Sequence, residues 1–177
     1  MTVETVDRRL SPVLRREPVP NWAKNINKKC GDQIGGETAT AGAFLHPAGT
    51  VAKTAALGAL GGIAGVTVGE KLAKRRRAEN EGEEESGLAS SFPSQNVVLG
   101  LTETRLVVFS HSTLSGKPKE LLAEYRLHDV AAIDMHQKKA LHKKTRIFFA
   151  DGSAVDLDAP KASGIDDFCV ALNNALP

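Results

Sequence analysis

From Asn96 onward the apolar residues of this chain alternate in short runs, and near Pro160 their spacing changes from two residues to about 3.6. Val97, Leu99 and Leu101 alternate, Thr102-Glu103-Thr104 makes a tight polar turn, and Arg105 to Ser110 returns with Leu106, Val107, Val108 and Phe109. That pattern predicts a hairpin. A loop follows over Ser112 to Lys119, holding Gly116 and Pro118. Tyr125 and Leu127 alternate with Glu124 and Arg126, which reads as a half-buried strand. Ala131 to Gln137 sets Ile133 and Met135 on one face and Asp134 and His136 on the other. Thr145 to Ala150 carries Ile147 and Phe149 into an Asp151-Gly152 turn, where glycine accepts a positive φ without a Cβ clash. Val155 and Leu157 continue the return strand, and Pro160 stops it.

The last element changes period. Ile165, Phe168, Cys169, Leu172 and Leu176 form one amphipathic helical stripe. Ser163 with Asp166 three residues on predicts a capping box at its start. Cys169 falls inside the stripe, so it reads as a small buried core residue and not as a reactive thiol.

Ahead of Asn96 the composition shifts three times. Residues 1–20 are charged and broken by three prolines, and read as an arm; with no apolar run there, no secretory leader is expected. Residues 21–46 predict a short helix followed by a strand. Trp22, Ile26 and Cys30 recur every four residues, Gly35 and Gly36 end the helix, and Thr38 to Leu45 is extended. Residues 47–95 then form an insert and linker before the β-rich stretch of residues 96–177.

Several of these residues carry a resemblance. Leu99-Gly100-Leu101-Thr102-Glu103-Thr104-Arg105-Leu106-Val107-Val108-Phe109 resembles the hairpin of bacterial pleckstrin-homology-like (PH-like) domains of the actinobacterial type. Tyr125 to Val130 is similar to their next strand and turn, Phe148 to Ser153 to their late hairpin, and the terminal helix falls where theirs does. The resemblance implies a mainly β fold with α: a seven-stranded β-sandwich or barrel capped by a C-terminal helix, which acts by binding and not by catalysis. Members that bind phosphoinositides use clustered basic residues in the first hairpin. This sequence has no match there, so the resemblance assigns no ligand residues.

The insert is what distinguishes the chain. Sixteen uncharged residues from Thr54 to Gly69 hold Gly61, Gly65 and Gly69 at four-residue spacing, with Gly58 and Gly62 as an offset pair. On a helix that spacing gathers glycines on one face and admits a second backbone. In water each glycine costs about 1 kcal/mol relative to alanine, so such a helix needs a cover. Sixteen residues reach about 24 Å, short of the roughly 30 Å hydrocarbon core. Protein packing, membrane contact and a free loop all stay open. Lys71, Lys74, Arg75, Arg76 and Arg77 follow and favour anionic headgroups, but the acids from Glu79 to Glu85 partly cancel them. A second basic cluster, Lys138, Lys139, His142, Lys143, Lys144 and Arg146, reads as a hairpin loop with no such neutraliser and is a candidate anion site.

Exclusions follow from what is missing. The 177 residues carry 23 Lys+Arg against 21 Asp+Glu, a balance that argues against a dedicated nucleic-acid binder. Two cysteines support neither a disulfide scaffold nor a multi-cysteine zinc module. Nucleophile-elbow, metalloprotease, dithiol and dinucleotide motifs do not occur, so neither an enzyme nor a cofactor is expected. His136 and His142 read as solvated surface histidines. The expected function is a cytoplasmic, non-enzymatic binding module, peripheral at the inner face of a membrane or on anionic ligands. The alternative is a soluble interaction or self-assembly unit whose glycine face packs helix on helix, with a homo-oligomer or a protein partner. Gly61, Gly65, Gly69, Lys74, Arg75, Arg76 and Arg77 are the contact candidates in either case.

Overall fold

A computed structural model describes residues 21–49, 87–138 and 142–177. Helix α1 (Trp22–Cys30) is capped by Asn21, whose side chain accepts from Lys24 N–H at 2.9 Å. Lys28 and Lys29 stand in its last turn, where cations complement the helix dipole. A 3₁₀ turn over Gly31–Ile34 continues it, and Gly35 ends the unit at φ 65°, a conformation that glycine adopts without strain.

Seven antiparallel strands follow: β1 (Ala41–Pro47), β2 (Val97–Leu101), β3 (Arg105–His111), β4 (Pro118–Arg126), β5 (Val130–Lys138), β6 (His142–Phe149) and β7 (Ala154–Pro160). Their order across the sheet is β4-β3-β2-β1-β7-β6-β5. β1 is the shared strand. Ala41 to Leu45 pair with β2, whereas His46 and Pro47 pair with Asp158 and Leu157 of β7. Helix α2 (Ile165–Ala175) closes the chain and packs on β1 and β5.

Two apolar clusters hold these layers. Phe168, Ile165 and Leu172 of α2 meet Leu45, Leu99, Leu106, Ile147 and Leu157 on one face of the sheet. On the other face Trp22, Ile26, Cys30 and Ile34 cover Val98, Val107 and Phe109. β2 lies between the two clusters and is buried at every position, which is why its sequence is an unbroken apolar run. Gly42 lies where α1 crosses the sheet: a Cβ there would come within 2.7 Å of Trp22 Cβ and 3.0 Å of the Ala23 backbone nitrogen.

The mainly β architecture with one terminal helix agrees with the sequence reading, as do α1, the β2–β3 hairpin and the Asp151-Gly152 turn. Three local expectations are corrected. β4 begins at Pro118, inside the expected loop, and Leu127 leaves it for a 3₁₀ turn over Leu127–Asp129. β6 begins at His142, not Thr145, because it pairs with β7 as far as Pro160. The Ser163–Asp166 capping box does not form: Gly164 at φ 79° is the cap and Asp166 turns to Lys143 instead. Ser163 Oγ still accepts from Ile165 N–H at 3.3 Å, and its carbonyl accepts from Phe44 N–H at 2.9 Å, tying α2 to β1.

Candidate functional site

The second basic cluster falls largely on β6, and two of its charges have partners. Arg146 lays its guanidinium along Asp156 of β7, with Nε at 2.7 Å and Nη2 at 2.6 Å from the two carboxylate oxygens. This fork, helped by the charge of Lys144, holds Asp156 below the usual carboxylate range. Lys143 points to the opposite face and pairs with Asp166 on α2. Lys144 stands opposite Asp158 in register. The absence of neutralising acids, read from the sequence, is thus overturned: the acids come from β7 and α2, outside the local window. Lys138 ends β5 in register with Lys143. Lys139 lies outside the described residues, as do the arm of residues 1–20, Gly61, Gly65, Gly69, Lys74, Arg75, Arg76 and Arg77.

His142 is a second correction. It is buried, and its Nε2 lies 3.8 Å from the carboxylate of Asp158, which is itself fully buried. The other oxygen of Asp158 accepts from Gly49 N–H at 2.7 Å. The register across the sheet places Lys144, Asp158 and His46 side by side. His46 Nδ1 then donates to Asn96 Oδ1 at 2.8 Å. Beyond it His111 packs on Phe44 at a ring separation of 4.2 Å, and Trp22 meets His111 edge-on at 6.1 Å. Burial first, and then neighbouring His46, hold the His111 imidazole below the usual histidine range. The row is polar yet does not converge: among the described residues no group of three His, Cys, Asp or Glu side chains is placed to hold a metal.

Two of the resemblance-bearing motifs have structural duties. Thr102 Oγ1 accepts from Arg105 N–H at 3.0 Å and closes the β2–β3 turn. The Arg105 side chain then reaches Glu37 at 2.7 Å, Glu124 at 2.6 Å and the Ile34 carbonyl at 2.9 Å. It ties the end of the α1 unit to the hairpin. In the β6–β7 turn the Asp151 carboxylate accepts from Leu88 N–H at 2.6 Å, and Ser153 Oγ accepts from Ala89 N–H at 3.0 Å. The turn therefore seats a 3₁₀ segment over Leu88–Ser91. Gly87, at φ 98°, lets the chain approach: a Cβ there would fall 2.3 Å from Asp151 Oδ2.

A residue that periodicity missed is Leu114, at the tip of the β3–β4 loop and fully exposed. Among the described residues no helix is long and apolar enough to cross a membrane. No protein-family model matches the chain, and no curated protein matches it.

Proposed function

We propose that this chain is a non-enzymatic, PH-like binding module that associates peripherally with an anionic membrane surface. The observation that supports the reading is a mainly β chain of seven antiparallel strands with a C-terminal helix packed on them, the strand number and terminal element that the sequence resemblance implies. The basic cluster on β6 is a weaker ligand site than its charge count suggests, because Asp156 and Asp166 already occupy Arg146 and Lys143. Binding falls instead to surfaces not engaged in holding the fold.

Co-sedimentation of the full chain with vesicles of phosphatidylcholine alone, and of phosphatidylcholine mixed with phosphatidylglycerol, tests the reading. Pelleting with the anionic vesicles only is the expected result. A chain that stays in the supernatant with both, and sediments as a dimer or larger, would instead be a self-assembly unit. Replacing residues 50–86 by a flexible Gly/Ser linker assigns the contribution of the insert and keeps the two anchors, Gly49 N–H on Asp158 and Leu88 N–H on Asp151.

A further inference from the structure

We infer that the β3–β4 loop and the last turn of α1 form the face that meets the anionic bilayer, with Leu114 as the inserted side chain. The inference rests on the membrane reading above and assigns it a surface. Leu114 is 100% exposed, against 37% for Leu122 and 62% for Val170, the other exposed large apolar residues among those described. Its exposure is built in. Ser112 N–H bonds the Lys117 carbonyl at 2.9 Å, Gly116 N–H bonds the Ser112 carbonyl at 2.8 Å, and Ser115 N–H reaches Ser112 Oγ at 3.2 Å. A loop closed in this way holds its leucine outward before any partner arrives, so less ordering is left to accompany binding.

The base of the loop is fixed to α1. Gln33 donates to the Lys119 carbonyl at 2.9 Å and accepts from Leu121 N–H at 2.7 Å, and Cys30 Sγ lies 3.4 Å from the same carbonyl. Those contacts set the last turn of α1, which carries the exposed Lys28 and Lys29, against β4, whose Lys119 follows Lys117 of the loop. Lys24 lies one turn before Lys28 on the same helix. Among the described residues the acids of the 3₁₀ turn after α1 and of the start of β4 are Asp32 and Glu120, the latter paired with Lys119. Among the described residues, Lys24, Lys28, Lys29, Lys117 and Lys119 outnumber those two acids on the loop and the elements packed at its base. A soluble anion gains nothing from the leucine, and a protein interface needs far more contiguous area than one convex tip supplies. A bilayer uses both: headgroup charge for the lysines and acyl chain for Leu114.

The test uses the full chain, the same two vesicle compositions, and three variants at exposed positions whose folding is checked by thermal melting. Leu114→Ser is expected to weaken binding to phosphatidylglycerol vesicles by about tenfold, the equivalent of one leucine removed from apolar surroundings. Lys28→Glu combined with Lys29→Glu is expected to weaken it by tenfold or more and to erase the preference for phosphatidylglycerol. Val170→Ser, on α2, is expected to bind like the unaltered chain. Should the full chain bind while Leu114→Ser or the double lysine variant binds equally well, the face is overturned and the membrane reading stands. Should the unaltered chain fail to bind either vesicle, both fall.

Discussion

Asn173 of α2 donates to the Ile133 carbonyl at 3.0 Å and accepts from Ile133 N–H at 3.2 Å, so one helix side chain completes the free edge of β5. At the other edge of the sheet Gln33 does the same for Lys119 and Leu121 of β4. Unpaired edge groups are templates for strand addition, and each edge is occupied at one place by a carboxamide that mimics a peptide. Asn173→Ala should cost about 1 kcal/mol in urea unfolding. The Ile133 amide should also exchange with solvent faster than in the unaltered chain; unchanged exchange would mean the contact does not guard the edge.

Gly42 and Gly100 make a second, comparative prediction. A methyl at Gly42 meets Trp22 Cβ and the α1 backbone, neither of which can swing away. At Gly100 the nearest atoms are the side-chain ends Ile26 Cδ1 at 2.8 Å and Val107 Cγ2 at 2.9 Å, which can rotate. Gly42→Ala should therefore cost about 2 kcal/mol, and Gly100→Ala less than that. Trp22 is the single tryptophan, so its emission reports whether α1 lifts. A red shift is expected for Gly42→Ala alone.

The Glu37–Arg105 pair gives a pH dependence. Hydrogen bonds from Thr102, Thr104 and Arg105 hold the Glu37 carboxyl below the usual carboxylate range. A carboxyl depressed in the folded state stabilises it above the ordinary value, near 4.3, and that contribution is lost as pH falls through the lower folded-state value. Thermal melts should show Glu37→Gln below the unaltered chain at neutral pH, with the gap closing below about pH 4. A gap independent of pH would mean the carboxylate charge contributes nothing.

The thiols should be inert in the folded chain. Burial first, then the nearby Asp166, push Cys169 up to about 12, and burial raises Cys30 as well. Thiolate is the reactive form, so at pH near 8 an aromatic disulfide reagent should label neither cysteine quickly. In denaturant it should label both. Rapid labelling of one thiol under native conditions would locate a local opening of α1 or α2.

What the sequence disclosed was local. The Trp22-Ile26-Cys30 stripe, the Thr102–Thr104 turn and the Asp151-Gly152 hairpin each depend on neighbours within a few positions, and each was readable as a pattern of period or turn chemistry. The partners of Arg146, Lys143 and His142 were not, because Asp156, Asp166 and Asp158 reach them only after β6 pairs with β7 and α2 docks. Asp158 illustrates the difficulty. Beside Leu157 its charge reads as the solvent face of an alternating strand, yet pairing with β1 buries that face under His46 and Gly49. Leu114 escaped for the opposite reason: a lone leucine in a polar loop has no periodicity to betray it.

Gly49 bonds to Asp158, and Leu88 bonds to Asp151, so the chain leaves and rejoins the sheet at points held by residues 109 and 63 positions away. The rest of the fold thus fixes where that connection starts and where it ends. For a flexible connection between fixed ends, doubling the length raises the closure cost by only about 0.6 kcal/mol. The connection from β1 to β2 is therefore a port through which the framework can gain or exchange a segment, provided enough chain is kept to reach from Asp158 to Asp151, while the register of all seven strands is left as it is. A segment with its own chemistry can change there faster than the scaffold that carries it.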